Sequence, residues 1–306
     1  MSRFDKTNPK HAEIENLNQS YPQISNSGYE ALKIQEIAQL PSSGSRLTKI
    51  LQPNIQCENL LFLELFSCKQ LTGFQEGLKL PNLKHIRLLM LNRLTSNGLG
   101  QLINACEQLE SAFLMDLQTV TTIAIPSTCN RFTSLDVYEC KLLEAIQIAT
   151  NTIQELTVSD GRTVSNIELA DPVNGLNNLK SLRISGCPKM PLSFLYNINI
   201  SKLKKLDLVS NAPSAKAYMK VDESDFDAFV KRNCHHVEEI TLDKVHNISL
   251  NTILELIDQC KHSLVNVTID LTSVEKPKVR EALRHCDNLK DWKVEKWYIK
   301  KKWTEW

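Results

Sequence analysis

The chain has 306 residues and a formal net charge of +1, from 36 Lys and Arg against 35 Asp and Glu. This balance gives no general attraction to nucleic acid or to an anionic membrane. Hydrophobic residues make up 42% and charged residues 23%, a composition that forms a core and excludes global disorder. Only nine residues are Gly, which disfavours the Gly-rich loops that bind nucleotide phosphates.

The N-terminal region is polar and lacks the apolar segment of a secretory signal. Asn8 to Asn26 is polar and predicted to be loose, and Tyr29 to Leu40 has helical character that ends at Pro41. We therefore expect residues 1–56 to form a polar N-terminus and a helical cap. No window of the chain approaches 18 consecutive apolar residues, so we expect no stable membrane insertion.

A Leu-x-x-Leu-x-Leu pattern, with other apolar residues allowed, recurs along the rest of the chain. Its ten members begin at Leu60, Leu83, Leu109, Phe132, Ile153, Leu179, Leu203, Val237, Leu264 and Leu289. The intervals run from 21 to 34 residues, and all but the 34 lie within the 20–29 residues of a leucine-rich repeat. Each triplet predicts one strand of a parallel sheet.

The nine cysteines fall on the same frame, before or after the predicted strands. Three of them, Cys68, Cys140 and Cys187, each follow the last apolar residue of a strand by three positions. A small, readily buried side chain fits where adjacent coils nearly touch. In a chain without a visible secretory signal we expect reduced thiols rather than a disulfide framework.

Residues 57–72, with Cys57, Leu60, Leu63, Leu65 and Cys68 in frame, resemble the cysteine-containing class of leucine-rich repeat. That class is found in F-box leucine-rich-repeat substrate receptors and their relatives, and the resemblance covers residues 57–295. It implies an α/β fold: a leucine-rich-repeat solenoid, a right-handed superhelix of about ten repeats. The parallel sheet would line the concave face, with helices and loops on the convex face. The N-terminus shows no clear F-box.

Apolar periodicity predicts four helices on the convex side, at Asn97 to Ala105, Ser224 to Arg232, Leu250 to Gln259 and Pro277 to His285. Thr95 and Ser249 belong to a repeated apolar–hydroxyl pair that is typical of a helix cap. The return segments after Phe132, Ile153 and Leu179 are shorter or less helical, so we expect a thinner convex side in the middle. Residues 211–218 form a polar insertion.

Motifs that carry chemistry are absent: there is no phosphate-binding loop, nucleophile elbow or paired Cys-x-x-Cys. One cluster stays open, because Cys234, His235, His236, Cys260, His262, His285 and Cys286 occupy equivalent positions on three successive coils. They would form either a Cys/His metal site or a buried cysteine ladder with exposed histidines. We expect the second, with no metal, no cofactor and no catalytic residue.

The residues that the repeat does not require lie at strand positions flanking the core residues, on the predicted concave face. The first four strands bring apolar, aromatic and Arg side chains there, which is typical of a protein-binding hot spot: Phe62, Phe66, Arg87, Leu89, Phe113, Met115 and Tyr138. The alternative is that the N-terminal cap covers them. The last four strands are acidic, and we assign Asp243 and Asp270 to the partner site, although a merely solvated face is equally compatible.

All four tryptophans lie in the last fifteen residues, interleaved with lysines. Trp292 occupies a core position of the tenth strand, and we expect residues 296–306 to be a Trp/Lys-rich C-terminal cap or tail. Aromatic–basic interleaving is also compatible with a membrane surface or nucleic acid. We favour the cap.

These features together predict a non-enzymatic interaction module, an adaptor or scaffold that binds a protein partner on its concave face. The resemblance adds an alternative, a substrate receptor of a ubiquitin ligase, and the Asn/Lys/Ile-rich composition suggests a bacterial effector acting in a host cell. The recognition part of an enzyme is a further alternative. We expect a monomer in the cytoplasm, or in a host cytoplasm for an effector, with no nucleic-acid partner.

Overall fold

The computed structural model describes residues 12–14, 31–35, 59–69, 71–74, 76–171, 175–190, 195, 200–210, 221–270 and 276–295. They form an α/β fold with one large parallel sheet, a second small parallel sheet and helices. Among these residues no helix is long and apolar enough to cross a membrane.

The main sheet has twelve strands, and every neighbouring pair is parallel. Its order follows the chain: β1 (Ala12–Ile14), β2 (Ala31–Gln35), β3 (Phe62–Phe66), β4 (His85–Leu89), β5 (Ser111–Met115), β7 (Ser134–Tyr138), β9 (Glu155–Ser159), β11 (Ser181–Ser185), β12 (Lys205–Val209), β13 (Glu239–Asp243), β14 (Asn266–Asp270) and β15 (Asp291–Glu295). The small sheet contains β6 (Thr122–Ile125), β8 (Ala145–Ile148) and β10 (Asn166–Leu169), in the order β10-β8-β6.

The ten predicted strands, β3 to β15 of the main sheet, are confirmed at the predicted positions. Their second and fourth residues are the apolar residues of the triplets, and in the register Leu63 lies beside Ile86, which lies beside Ala112. Those side chains, except that of Trp292, are buried in one continuous core that also includes the first residue of nine triplets. Alternation along each strand therefore gives the sheet one face on the core and one face away from it.

A left-handed backbone turn follows seven strands of the main sheet: β3, β4, β5, β7, β9, β11 and β13. The residues are Ser67, Met90, Asp116, Glu139, Asp160, Gly186 and Lys244, with φ between 53° and 62°. Each donates its N–H to the carbonyl of the last residue of the next strand, at 2.8–3.0 Å. The residue after each turn is buried. The turn extends the hydrogen-bond ladder by one step and directs the chain back toward the core.

Two predictions for the N-terminal region are wrong. Ala31–Gln35, within the predicted helix from Tyr29 to Leu40, is a strand parallel to β3, and Ala12–Ile14, within the segment predicted to be loose, is a strand parallel to β2. The register places Leu32 beside Leu63 and Ile34 beside Leu65, so the two-residue alternation of Leu32 and Ile34 continues the repeat toward the N-terminus. The other residues of 1–56 lie outside the described part of the chain.

The four predicted helices are confirmed: α1 (Ser96–Asn104), α2 (Glu223–Asn233), α3 (Leu250–Cys260) and α4 (Lys276–Leu283). Thr95 and Ser249 are N-caps, and their hydroxyls accept hydrogen bonds from the N–H groups of Gly98 and Thr252. The return segments after β5, β7 and β9 contain β6, β8 and β10 instead of helices. The lack of helix after β7 and β9 was predicted, whereas the second sheet was not.

The contact between α1 and the preceding coil gives a stability test with a matched control. A Cβ on Gly98 would lie 2.5 Å from the carbonyl oxygen of Thr72 and would also overlap the backbone of Gly73, whereas a Cβ on Gly100 meets nothing within 4 Å. We expect Gly98→Ala to lower the free energy of unfolding by about 1–3 kcal/mol. Gly100→Ala should raise it by about 0.5–1 kcal/mol because Ala is the better helix former. Urea denaturation measures both, and equal effects would show that the two coils are not in contact.

Candidate binding surface

We call the face of the main sheet that points away from the core the open face; on the ten strands from β3 to β15 it carries the first, third and fifth residues. Parallel register aligns these residues in three rows across the sheet. In the middle row Glu64 lies beside Arg87, which lies beside Phe113. Residues that are 23 to 26 positions apart in sequence thus become lateral neighbours at the ~4.8 Å spacing of strands.

An arginine and two aromatic rings form a stack across three of these strands. The guanidinium carbon of Arg87 lies 5.0 Å from the centroid of the Phe113 ring, and the Phe113 and Tyr138 centroids are 5.2 Å apart at 30°. Arg87 Nη1 is 3.3 Å from Oε2 of Glu64, whose side chain is buried. Burial raises the pKa of Tyr138, and the negative charge of Asp136 adds to this shift. The stack is therefore a half-buried surface with a carboxylate beside its guanidinium group.

The predicted apolar, aromatic and Arg residues lie on β3, β4, β5 and β7, which are consecutive strands of the main sheet. Phe62 and Phe66 lie on β3, Met115 and Phe113 on β5 and Tyr138 on β7, and each of them is half-buried. Leu89 is the exception, since it is only 9% exposed, and it contributes to the interior of the surface rather than to its contact area. We call Phe62, Phe66, Arg87, Phe113, Met115 and Tyr138 the aromatic cluster.

On the acidic half of the open face, which belongs to the last strands of the sheet, neighbouring cations neutralise more of the carboxylate charge than the sequence indicates. Asp207 is buried, and its carboxylate lies 3.8 Å from Arg183 and 3.9 Å from Lys205. The Lys205 ammonium also donates to Glu239 at 2.7 Å, and this bond holds the pKa of the Glu239 carboxyl below its usual range. Cations on neighbouring strands thus replace part of the partner charge that these carboxylates were expected to attract.

The two acidic residues assigned to the partner site, Asp243 and Asp270, lie side by side at the fifth position of β13 and β14. Asp270 is only 8% exposed, and Lys244 lies 3.9 Å from Asp243. Because Asp270 is buried, it has little direct access to a partner. It contributes to the electrostatic field of the surface rather than to binding contacts.

The open face is nevertheless acidic as a whole. Among its described side chains there are eight carboxylates, Glu64, Asp136, Glu155, Asp207, Glu239, Asp243, Asp270 and Asp291, and four cations, Arg87, Arg183, Lys205 and Lys293. The complete chain carries +1, so this face is negative relative to the rest of the molecule. An uneven distribution of this kind steers a cationic partner toward one side.

Two surface grooves were not found from the sequence. One, of about 400 Å³, lies before the starts of β7, β9 and β11 and is lined by polar residues that include Arg131, Gln154 and Asn178. The other, of about 300 Å³, lies at the ends of β6, β8 and β10 and includes Ile125, Ile148 and Leu169. The alternation in Thr122–Ile125, Ala145–Ile148 and Asn166–Leu169 was the available signal for the second sheet.

The cysteine and histidine side chains of the cluster on three successive coils differ in burial. Cys234 and Cys260 are buried, whereas His235, His236 and His285 are exposed. His262 Nδ1 lies 2.6 Å from a carboxylate oxygen of Asp287. Within the described ranges, no group of three or more His, Cys, Asp or Glu residues is arranged to hold a metal ion.

The described cysteines are free thiols, and all of them except Cys286 are buried. Burial raises the pKa of Cys129 and Cys140 to about 11 and that of Cys187 and Cys260 to about 12. Since the thiolate is the reactive form, these side chains are poor nucleophiles near neutral pH.

At the C-terminal end of the sheet, Trp292 lies beside the core residue Val267 in the register, as predicted. It is 41% exposed, however, so the expectation that it is a buried core residue is wrong for this strand. The strand is the last of the sheet, and among the described residues only Val294 of β15 is buried. The predicted cap or tail at residues 296–306 lies outside the described residues.

The sequence was compared with models of known protein families and with curated proteins, and neither comparison gives a significant match.

The raised pKa values of the buried thiols predict a loss of stability at alkaline pH. Above about pH 8.5 the unfolded chain loses thiol protons that the folded chain keeps, so the free energy of unfolding falls as pH rises. For Cys187 this loss should continue to about pH 12, at about 1.4 kcal/mol per pH unit. We expect Cys187→Ala to have a shallower decline between pH 9 and 10.5 in urea denaturation. Cys286→Ala should change the slope less, because burial also raises the pKa of the Cys286 thiol but that side chain is only half-buried, and identical slopes in both variants would contradict the assignment.

Proposed function

We propose that the chain is a leucine-rich-repeat solenoid and acts as a non-enzymatic module that binds a protein partner on the concave, open face of its sheet. Support for the repeat class comes from strands in chain order, seven of which are followed by the same left-handed turn. Cys68, Cys140 and Cys187 also take the same position in three coils, where each thiol donates to the carbonyl two residues earlier, at 3.6, 3.5 and 3.3 Å. The residue pattern resembles that of the cysteine-containing repeats.

The stack of Arg87, Phe113 and Tyr138 carries the assignment of the binding site. Aromatic and Arg side chains dominate the binding energy of protein interfaces because they bury large areas with few rotatable bonds. Here the rings are already stacked and the guanidinium is held by Glu64, so little conformational entropy is lost when a partner covers them. The other half-buried members of the aromatic cluster, Phe62, Phe66 and Met115, supply further apolar area for such a contact.

The thiol chemistry supports a binding role over a catalytic one. A cysteine nucleophile needs a lowered pKa and access to substrate, whereas burial raises the pKa of Cys106, Cys140, Cys187, Cys234 and Cys260. The cysteines instead fill the spaces between coils, which is a packing role.

Substitutions on the two faces test the proposal. Proteins recovered on the immobilised chain are identified by mass spectrometry, and the affinity of a recovered partner is then measured by calorimetry. We expect Phe113→Ala and Tyr138→Ala each to weaken binding by about 2 kcal/mol, because each removes a ring from the stack. Tyr138→Phe keeps the ring and should bind almost as the parent does.

The matched control is Gln147→Ala, which truncates an exposed side chain on β8 of the small sheet and should leave affinity unchanged. Circular dichroism melting accompanies each measurement. If the aromatic variants lose stability but keep the parental affinity, the stack is part of the folding core and the proposed site is wrong. If Gln147→Ala weakens binding as much as the ring variants do, the partner occupies the other side of the molecule.

A further inference from the structure

Three acidic residues lie side by side where β5, β7 and β9 end. Asp116, Glu139 and Asp160 are the left-handed turn residues that follow these strands, with φ of 53°, 55° and 56°. Their N–H groups donate to Tyr138, Ser159 and Ser185 on the next strand at 3.0, 2.9 and 2.8 Å. The backbone thus holds the three residues in a row at the strand spacing of ~4.8 Å. We call them the acidic rim.

The acidic rim adjoins the aromatic cluster. Asp116 directly follows Met115, and Glu139 directly follows Tyr138. One strand earlier the turn residue is Met90, which is 41% exposed and donates its N–H to Met115 at 2.9 Å. The exposed Met90 and the half-buried Met115 and Tyr138 therefore lie beside a row of carboxylates at the strand ends.

The three carboxylates of the rim lie at half-buried or exposed positions. Asp116 accepts a hydrogen bond from the neutral amide of Gln118 at 3.3 Å, and Glu139 is exposed. The rim also extends the excess of carboxylates already found on the open face.

We propose that the partner docks through a cationic protein segment that carries an apolar anchor. The anchor contacts Met90, Met115 and Tyr138, and Lys or Arg side chains of the same segment pair with the acidic rim. This inference rests on the proposed function and specifies the chemistry of the partner. Phosphate-rich nucleic acid and anionic lipid are repelled by the same carboxylates, whereas a basic segment is steered toward them.

A selection from a random peptide library displayed on phage tests the chemistry without assuming a partner. The intact chain is immobilised, and enriched peptides are synthesised and measured by surface plasmon resonance at 25 and 300 mM salt. We expect enriched peptides to combine a positive net charge with an aromatic or long aliphatic residue. Their affinity should fall roughly tenfold or more at the higher salt concentration, because screening weakens exposed charge pairs.

A charge-neutral variant then locates the contact. The triple variant Asp116→Asn, Glu139→Gln, Asp160→Asn removes three charges with little change in shape, and Asn tolerates the left-handed turn. We expect it to bind the enriched peptides roughly tenfold more weakly at low salt, mainly through a slower association rate. The control triple Glu107→Gln, Glu223→Gln, Glu281→Gln removes the same charge from exposed positions off the open face and should bind as the parent does.

The outcomes separate this inference from the proposed function. Enriched peptides that are neutral or acidic, yet lose affinity with Tyr138→Ala, overturn the cationic partner and leave the binding site intact. Cationic peptides that respond equally to the rim triple and the control triple show general attraction only and also overturn the inference. Peptides unaffected by Phe113→Ala and Tyr138→Ala, or a selection that enriches none, contradict the proposed site itself.

Discussion

Lateral pairing of parallel strands is the constraint on which the rest of this structure depends. A single coil has one short strand, and the three apolar residues of its triplet cannot form a core without neighbours. In the sheet, Leu63, Ile86, Ala112 and Leu135 align on consecutive strands, and their neighbours at the fourth strand position do the same. Each coil buries its apolar residues against the coils on either side of it, so the core is continuous from Leu60 to Val294.

The same pairing determines where the strands end. The N–H of each turn residue bonds to the next strand, and the left-handed conformation turns the chain so that the following residue is buried. A small or apolar residue is needed there, and Cys68, Leu91, Cys140 and Gly161 satisfy it. The turn residue itself remains at the edge of the open face.

Charges on the open face serve two different purposes. Glu64 and Asp207 are buried and lie within 4 Å of Arg87 and of Arg183, so they hold neighbouring side chains in place. Removing one partner of such a pair leaves an uncompensated buried charge, which is costly. Exposed carboxylates such as Glu139 are not constrained in this way, and they shape the electrostatic field that an approaching protein meets.

The sequence by itself determined the strands of the main sheet from β3 onward, their parallel order, the four helices and the positions of the cysteines. It did so because a repeated apolar triplet is a local pattern whose period fixes which residues become neighbours. It also placed Phe113, Met115 and Tyr138 on one face.

Only the tertiary structure decided what depends on contacts between coils. These contacts stack Arg87 on Phe113, bury Leu89 and Asp270, and pair Lys205 with Glu239. They also turn Ala31–Gln35, which has helical character in isolation, into a strand, because an adjacent strand offers its backbone groups for pairing. Trp292 fits the pattern of a core residue but stays exposed, since the last described strand has a neighbour on one side only.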